Sequence, residues 1–143
     1  MMVEPCFKVD SSAFVADAEL LEALERRSSA VICEADRVLF NQGDNPDGLY
    51  ILHKGDAVLH MHAPGGETVM CMQTSAGSLL GLPALIGDEA YSLTATARKG
   101  AELKFVSRED FLIVMGGDPL LSFKVLQVLA AEVRSARQAL LAC

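Results

Sequence analysis

Short apolar runs separated by turn residues fill the first half of the chain. Three such runs, at residues 38–40, 49–52 and 57–59, are divided by segments rich in Asn, Gly, Pro and Asp. Glycine in these segments permits the positive φ angles that tight chain reversals use. Several short strands joined by tight turns are typical of a β-sandwich, a jelly roll or a barrel.

The same pattern continues towards residue 106. The sequence Ala-Pro-Gly-Gly at residues 63–66 predicts a hairpin turn, and strands are predicted at residues 67–73, 92–98 and 101–106. Residues 30–34 are interpreted as a linker or a short strand, and residues 78–89 as a separate loop. The pattern therefore predicts a mainly β fold, with the strands spanning about residues 30–106.

Helical segments flank the predicted strands. A first helix is predicted at residues 17–27, and a short helix follows Ser107, whose hydroxyl is a typical N-cap. Asp118 and Pro119 then begin a long helix, as cap and first helical residue, that runs to about residue 142. We expect the 143 residues to form one domain.

The long helix carries apolar residues at a heptad spacing of 3, 4, 3 and 4, namely Leu126, Leu129, Val133, Ala136 and Leu140. Such a seam indicates either packing of the helix against its own domain or self-association with a second copy. Small residues beside the seam, such as Ala130 and Ala139, would allow close approach of two helices.

Composition excludes several classes of protein. A net charge of −7 without clustered basic residues argues against direct contact with nucleic acid. No apolar run reaches the length of about 18 residues that spans a bilayer, and the first residues do not form a signal peptide, so we expect no membrane contact and a cytoplasmic protein. Cys6, Cys33, Cys71 and Cys143 are scattered, which predicts reduced thiols and no metal site.

A family resemblance rests on the segment from Phe40 to Leu59. Its pieces are Phe40-x-x-Gly43-Asp44, Gly48-Leu49-Tyr50-Ile51-Leu52 and Gly55-x-Ala57-Val58-Leu59. Together they resemble the cyclic nucleotide-binding domain of the Crp/Fnr family, and the resemblance runs from about Leu20 to the end of the chain. It implies an eight-stranded jelly roll flanked by helices, with the ligand in a phosphate-binding cassette and a homodimer formed through the long helix.

The resemblance places the cassette at residues 77–95. Where the family has a Glu for the ribose hydroxyl this chain has Leu82, and where it has an Arg for the cyclic phosphate this chain has Leu93. Pro83 also lacks an N–H donor. The sequence therefore predicts a degenerate cassette that does not bind cyclic AMP or cyclic GMP in the usual mode, and no cofactor is assigned. The candidate ligand-contacting residues are Gly81, Leu82, Pro83, Ala84, Ser92, Leu93, Thr94 and Arg98. By the parity of a strand, Ser92, Thr94 and Thr96 share one face and are candidates for one wall of the site.

The interpretation of function is a non-enzymatic regulatory domain, in which a small ligand or a protein partner changes the packing of the long helix. One alternative is a structural dimerisation or interaction module whose pocket is filled by side chains. A second is a sensor of haem or another small ligand, for which His53, His60 and His62 are the histidines available. No catalytic motif supports an enzyme. The sequence ends without the helix-turn-helix domain of the family's transcription regulators, and leaves open whether it is a stand-alone module or part of a longer protein.

Overall fold

The computed structural model describes residues 15–141, except for the side chains of residues 135, 136 and 138–141. It contains eight strands and four helices in this range. The strands are β1 (Ser29–Ile32), β2 (Arg37–Phe40), β3 (Gly48–Lys54), β4 (Ala57–His62), β5 (Thr68–Thr74), β6 (Leu79–Leu80), β7 (Thr94–Ala97) and β8 (Glu102–Ser107). The helices are α1 (Ala18–Glu25), α2 (Leu82–Gly87), α3 (Arg108–Gly117) and α4 (Pro119–Leu141).

The strands form two antiparallel sheets of four. One sheet has the order β1-β8-β3-β6 and the other β2-β7-β4-β5, so every neighbouring pair within a sheet is antiparallel. Strands that are consecutive in sequence mostly lie in different sheets or beside distant strands, as in a jelly roll. The predicted mainly β jelly roll with a helix before it and a long helix after it is confirmed.

Residues 78–89, predicted to be a loop, instead contain β6 and α2. The two residues of β6 are held by pairing with Tyr50 and Ile51 of β3, a contact between segments far apart in sequence. A two-residue strand has no period that a local pattern could display, which is why the prediction was wrong here.

The structure has two apolar cores. The first fills the roll between the sheets and includes Leu52, Leu59, Met72 and Leu103. The second lies between the outer face of the β1-β8-β3-β6 sheet and the four helices. Its members are Ala16, Leu20, Leu24, Leu49, Ile51, Leu79, Leu82, Leu85, Val106, Phe111, Val114, Leu121, Val125 and Val128. The helices therefore pack mainly on this sheet, and Ala84 of α2 also joins the core inside the roll.

Side-chain caps begin three of the helices where the sequence predicts them. The carboxylate of Asp17 accepts from the N–H of Glu19 at 2.8 Å, and the hydroxyl of Ser107 accepts from the N–H of Asp110 at 3.1 Å. Asp118 accepts from the N–H of Leu120 at 3.0 Å ahead of Pro119. Each cap satisfies an N–H that the first turn of a helix leaves without a partner.

An ion pair fastens α4 to the start of α1. The Lys124 ammonium lies 3.1 Å from the carboxylate of Asp17 and 3.8 Å from that of Glu19. Lys124 lowers the pKa of Asp17, and Asp17 in turn raises the pKa of Lys124, because each stabilises the charged form of the other. The first half of α4 is thus fixed against the helical core by both charge and apolar packing. In the described range no single helix is long and apolar enough to cross a bilayer, and α3 and α4 meet at a bend of 118°.

Candidate functional site

The cassette predicted from the resemblance lies between β6 and β7. Gly81 precedes α2 with φ of 93°, a left-handed conformation that favours glycine, and Asp88 ends α2 with φ of 52°. A Cβ at position 81 would stand 2.9 Å from the ring of Tyr91, so glycine is required by space as well as by conformation. The segment therefore has a tight entry and a tight exit around one short helix.

Leu82, at the predicted ribose position, is turned away from the interior of the roll. Its side chain is 0% exposed and belongs to the helical core with Leu85 and Phe111. Ala84, two residues later, packs in the roll instead. Leu82 thus joins the cassette to the helices, and the side of α2 that faces the roll carries no polar side chain in this part of the segment.

Tyr91 fills the roll beneath the cassette. It is 5% exposed, and its ring stacks on Phe40 with centroids 3.9 Å apart. Its hydroxyl donates to the carbonyl of Gly48 at 2.7 Å, and burial raises its pKa. Backbone bonds hold the same residue, since the Tyr91 N–H donates to Asp44 and its carbonyl accepts from Gly43. Leu93, at the predicted phosphate position, is partly buried against this core.

A row of aromatic rings continues from Tyr91 across the roll. Phe40 lies 6.3 Å from Tyr50, and Tyr50 lies 5.0 Å from Phe105, between ring centroids. Tyr91 is not among the site residues predicted from the sequence. Its partners Phe40 and Gly48 are more than 40 positions away, so no local spacing signals the contact.

The hydroxyl residues of the predicted wall lie elsewhere. Ala95 and Ala97 face the roll interior, so Thr94 and Thr96, which alternate with them on β7, face outwards. Ser92 is exposed and precedes the strand. Thr94 and Thr96 therefore share one side of β7, and that side is the outer surface of the sheet.

Two other candidate residues are also placed outside the roll. Pro83 is exposed in the first turn of α2. Arg98 follows the far end of β7 and lies 3.8 Å from the carboxylate of Asp36, in an exposed ion pair. The candidate residues therefore do not converge on one pocket: Ala84 and Leu93 face the roll, Leu82 faces the helices, and the polar members face solvent.

On the outer surface, the side chain of Gln42 forms two hydrogen bonds with the backbone at the end of β4. Its side-chain amide accepts from the N–H of His62 at 2.8 Å and donates to the His62 carbonyl at 3.0 Å, while its own N–H donates to the Thr94 hydroxyl at 2.9 Å. A groove of about 490 Å³ lies here, lined by Asn41, Gln42, His62, Ala63, Pro64 and Thr94.

The rings of His60 and His62 lie side by side, with their centroids 6.2 Å apart. In the described residues no group of three His, Cys, Asp or Glu side chains could hold a metal ion.

Replacing Tyr91 with phenylalanine is expected to destabilise the fold by about 1–2 kcal/mol, because the buried carbonyl of Gly48 loses its side-chain donor while the ring stack on Phe40 remains. Urea unfolding at pH 7 measures the change. Tyr50→Phe is the matched control, since the Tyr50 ring belongs to the same row but its hydroxyl has no partner within the described range. Equal effects of the two variants would contradict the assigned bond.

One side of α4 presents an apolar surface to solvent. Leu126 is 58% exposed and Val133 is 56% exposed, and Phe123 lies on the same side one turn earlier. Leu129, placed in the same heptad seam by the sequence, is partly buried against the helical core. The side chains of Ala136 and Leu140, the other two predicted seam residues, lie outside the described set. The predicted seam is thus shared between the domain's own core and the free surface.

Comparison with known proteins agrees with this architecture. Residues 30–118 match the family model described as Cyclic nucleotide-binding domain. The cyclic AMP receptor protein of Thermus thermophilus is 30% identical over 98 residues, which cover 68% of this chain and 45% of that protein. The chain therefore spans less than half the length of this relative.

Solved structures show the same fold. The Thermus thermophilus catabolite activator protein superposes with a TM-score of 0.75 and 25% identity, over 87% of this chain and 58% of that one. The N-terminal domain of a transcriptional regulator from Streptomyces coelicolor A3(2) superposes with a TM-score of 0.65 and 25% identity, over 86% and 85% of the two chains. With the family model covering more than half of its residues, the chain belongs to the cyclic nucleotide-binding domain family, in its Crp/Fnr type.

Proposed function

We propose that this domain of the Crp type is a regulatory module that does not hold cyclic AMP or cyclic GMP in the family's usual mode. Its output is a change in the packing of α4, and it acts in the cytoplasm without catalysis. The observation that carries the proposal is the filled cassette: Leu82 is buried among the helices and Tyr91 packs directly beneath Gly81.

The charge balance of the site supports this proposal. A cyclic phosphate carries a negative charge, and an unpaired charge in a low-dielectric interior is strongly unfavourable. Leu82, Ala84, Tyr91 and Leu93 supply neither a cation nor a carboxylate, and Arg98 is already paired with Asp36 at the far end of β7. A nucleotide entering the roll would also have to displace the Tyr91 ring from Phe40.

The surface of α4 supports homodimerisation as the route of output. Exposed Leu126 and Val133 lie on one side of a helix whose opposite side is fixed by Leu121, Val125 and Val128. Covering such residues with the same helix of a second copy removes apolar surface from water. A ligand or protein partner that shifts α4 would then change the dimer, a coupling between two sites. No direct contact with nucleic acid is part of this proposal.

A second candidate function is a structural dimerisation or interaction module with a permanently filled roll. The stacking of Tyr91 on Phe40 and the hydrogen bond to Gly48 favour it, because these contacts fix one packing of the interior. A haem sensor is less compatible with the geometry. Leu59 of β4 points into the roll, whereas His60 and His62 lie on the outer face of the same strand.

Titration of the purified domain with cyclic AMP and with cyclic GMP tests the proposal by calorimetry. We expect no saturable heat at micromolar nucleotide and no shift in melting temperature. The cyclic AMP receptor protein of Thermus thermophilus, titrated in the same buffer, is the positive control. Micromolar binding by this domain would overturn the proposal. A melting temperature raised by a protein partner or another small molecule would separate a responsive module from a purely structural one.

A further inference from the structure

Strand β5 forms one border of the β2-β7-β4-β5 sheet. It pairs with β4 alone, so its second edge meets no other strand in the part of the chain that the structure describes. With seven residues it is the longest border strand of either sheet, since β1 and β2 have four residues each and β6 has two. A strand edge of this kind presents backbone N–H and C=O groups that can pair with another strand.

The sequence of β5 lacks the residues that usually protect such an edge. Thr68–Thr74 contains no charged residue and no proline. At the opposite border of the same sheet, by contrast, β2 begins with Arg37. Charged residues and prolines are common on border strands because they oppose pairing with a second chain. Their absence from the longest border strand favours a pairing role for β5.

The order of residues in β5 indicates which strand fits this edge. It reads almost the same in both directions, as Thr-Val-Met-Cys-Met-Gln-Thr. In an antiparallel pair of two copies centred on Cys71, Thr68 lies opposite Thr74 of the other copy, and Met70 lies opposite Met72. Directly opposite residues share one face of a sheet, so both methionines keep their places towards the interior of each roll. This register pairs all seven residues and brings no like charges together, which makes a second copy of this chain the fitting occupant.

We propose that β5 pairs antiparallel with β5 of a second copy, so that two four-stranded sheets join into one continuous sheet. The interface is isologous, because the same edge serves both copies about a two-fold axis at Cys71. No residue of β5 belongs to the helical core, which lies on the other sheet. The pairing therefore uses a surface separate from the apolar side of α4 and goes beyond the proposed function.

Val69 and Gln73 are the positions that test this pairing. Both are exposed on the outer face of the sheet, and each lies opposite the other across the proposed interface. The variant Val69→Lys/Gln73→Lys places two lysine–lysine pairs between the copies, whereas Val69→Lys/Gln73→Glu places two lysine–glutamate pairs there. Like charges directly opposite each other weaken a strand pair, and opposite charges stabilise it. Both variants lose the same two native side chains, so they differ only in the charge at position 73.

Sedimentation equilibrium measures the dissociation constants up to about 1 mM protein. The variants are made in a Leu126→Glu/Val133→Glu background, which removes association through α4 by changing two exposed side chains. We expect the background protein to dimerise, the lysine–lysine variant to dimerise at least about tenfold more weakly, and the lysine–glutamate variant to stay within about threefold of the background. Amide hydrogen exchange locates the interface, since residues 68–74 should become more protected as the concentration rises, except in the lysine–lysine variant. Circular dichroism checks that each variant is folded.

The possible outcomes distinguish this pairing from the proposed function. A background protein that stays monomeric would overturn the pairing of β5. Equal dissociation constants for the two lysine variants would also overturn it, because an association insensitive to the charge at position 73 uses another surface. Protection of residues 68–74 that does not change with concentration would be a third contradiction. None of these results affects the proposed function, which rests on the filled cassette and on α4.

Discussion

Leu82→Glu is expected to unfold much of the domain rather than create a contact for a ribose. Leu82 is fully buried among Leu20, Leu85 and Phe111 in the helical core. The variant loses this apolar packing and places a carboxyl group among apolar side chains. The combined cost exceeds about 4 kcal/mol, a large part of the total stability of a typical domain.

Thermal and urea unfolding at pH 7 measure the effect. Leu82→Met is the matched control, because it retains an apolar side chain of similar volume and is expected to cost less than about 1.5 kcal/mol. Lowering the pH should partly restore Leu82→Glu, since the protonated carboxyl is less unfavourable in an apolar core. A Leu82→Glu variant that melts like the wild type and binds cyclic AMP would show that this position faces the roll after all.

The strands and most helices could be predicted because their signals are local. Gly, Pro and Asn mark the turns between the strands. The capping residues Ser107 and Asp118 each lie one residue before the observed start of a helix. β6 and α2 were not predicted, because their secondary structure depends on contacts with β3, which lies about 30 residues earlier. Local propensity yields to tertiary pairing in such short elements.

The position of the cassette along the chain could be predicted, but the orientation of its side chains could not. The resemblance located Leu82 and Leu93, the two positions that lack the expected polar groups. It could not reveal that Leu82 packs with the helices, because orientation depends on how α2 sits on β3. Tyr91 was missed for the same reason, since its contacts with Phe40 and Gly48 exist only after folding.

Gly48→Ala is expected to disrupt the domain nearly as severely as a charge in the core. Gly48 begins β3 opposite Ser107 of β8, and its backbone does not require a positive φ, so the need for glycine here is one of space. A Cβ at this position would lie 2.2 Å from the carbonyl oxygen of Val106 and 2.7 Å from the ring of Phe105.

These two contacts cannot be relieved by moving one flexible side chain, because the nearer atom belongs to the backbone of the paired strand. The strand must shift, and the shift moves the carbonyl that accepts from Tyr91. We expect a loss of more than about 3 kcal/mol by urea unfolding, with weakened packing of Tyr91 on Phe40. Gly65→Ala is the control, since its added Cβ meets nothing within 4 Å and its φ is not positive, and it should change stability by less than about 0.5 kcal/mol. If both glycine variants unfold at the same urea concentration, β3 does not approach β8 as closely as described. The position of the Gly48 carbonyl, which accepts the hydrogen bond from Tyr91, would then be wrong as well.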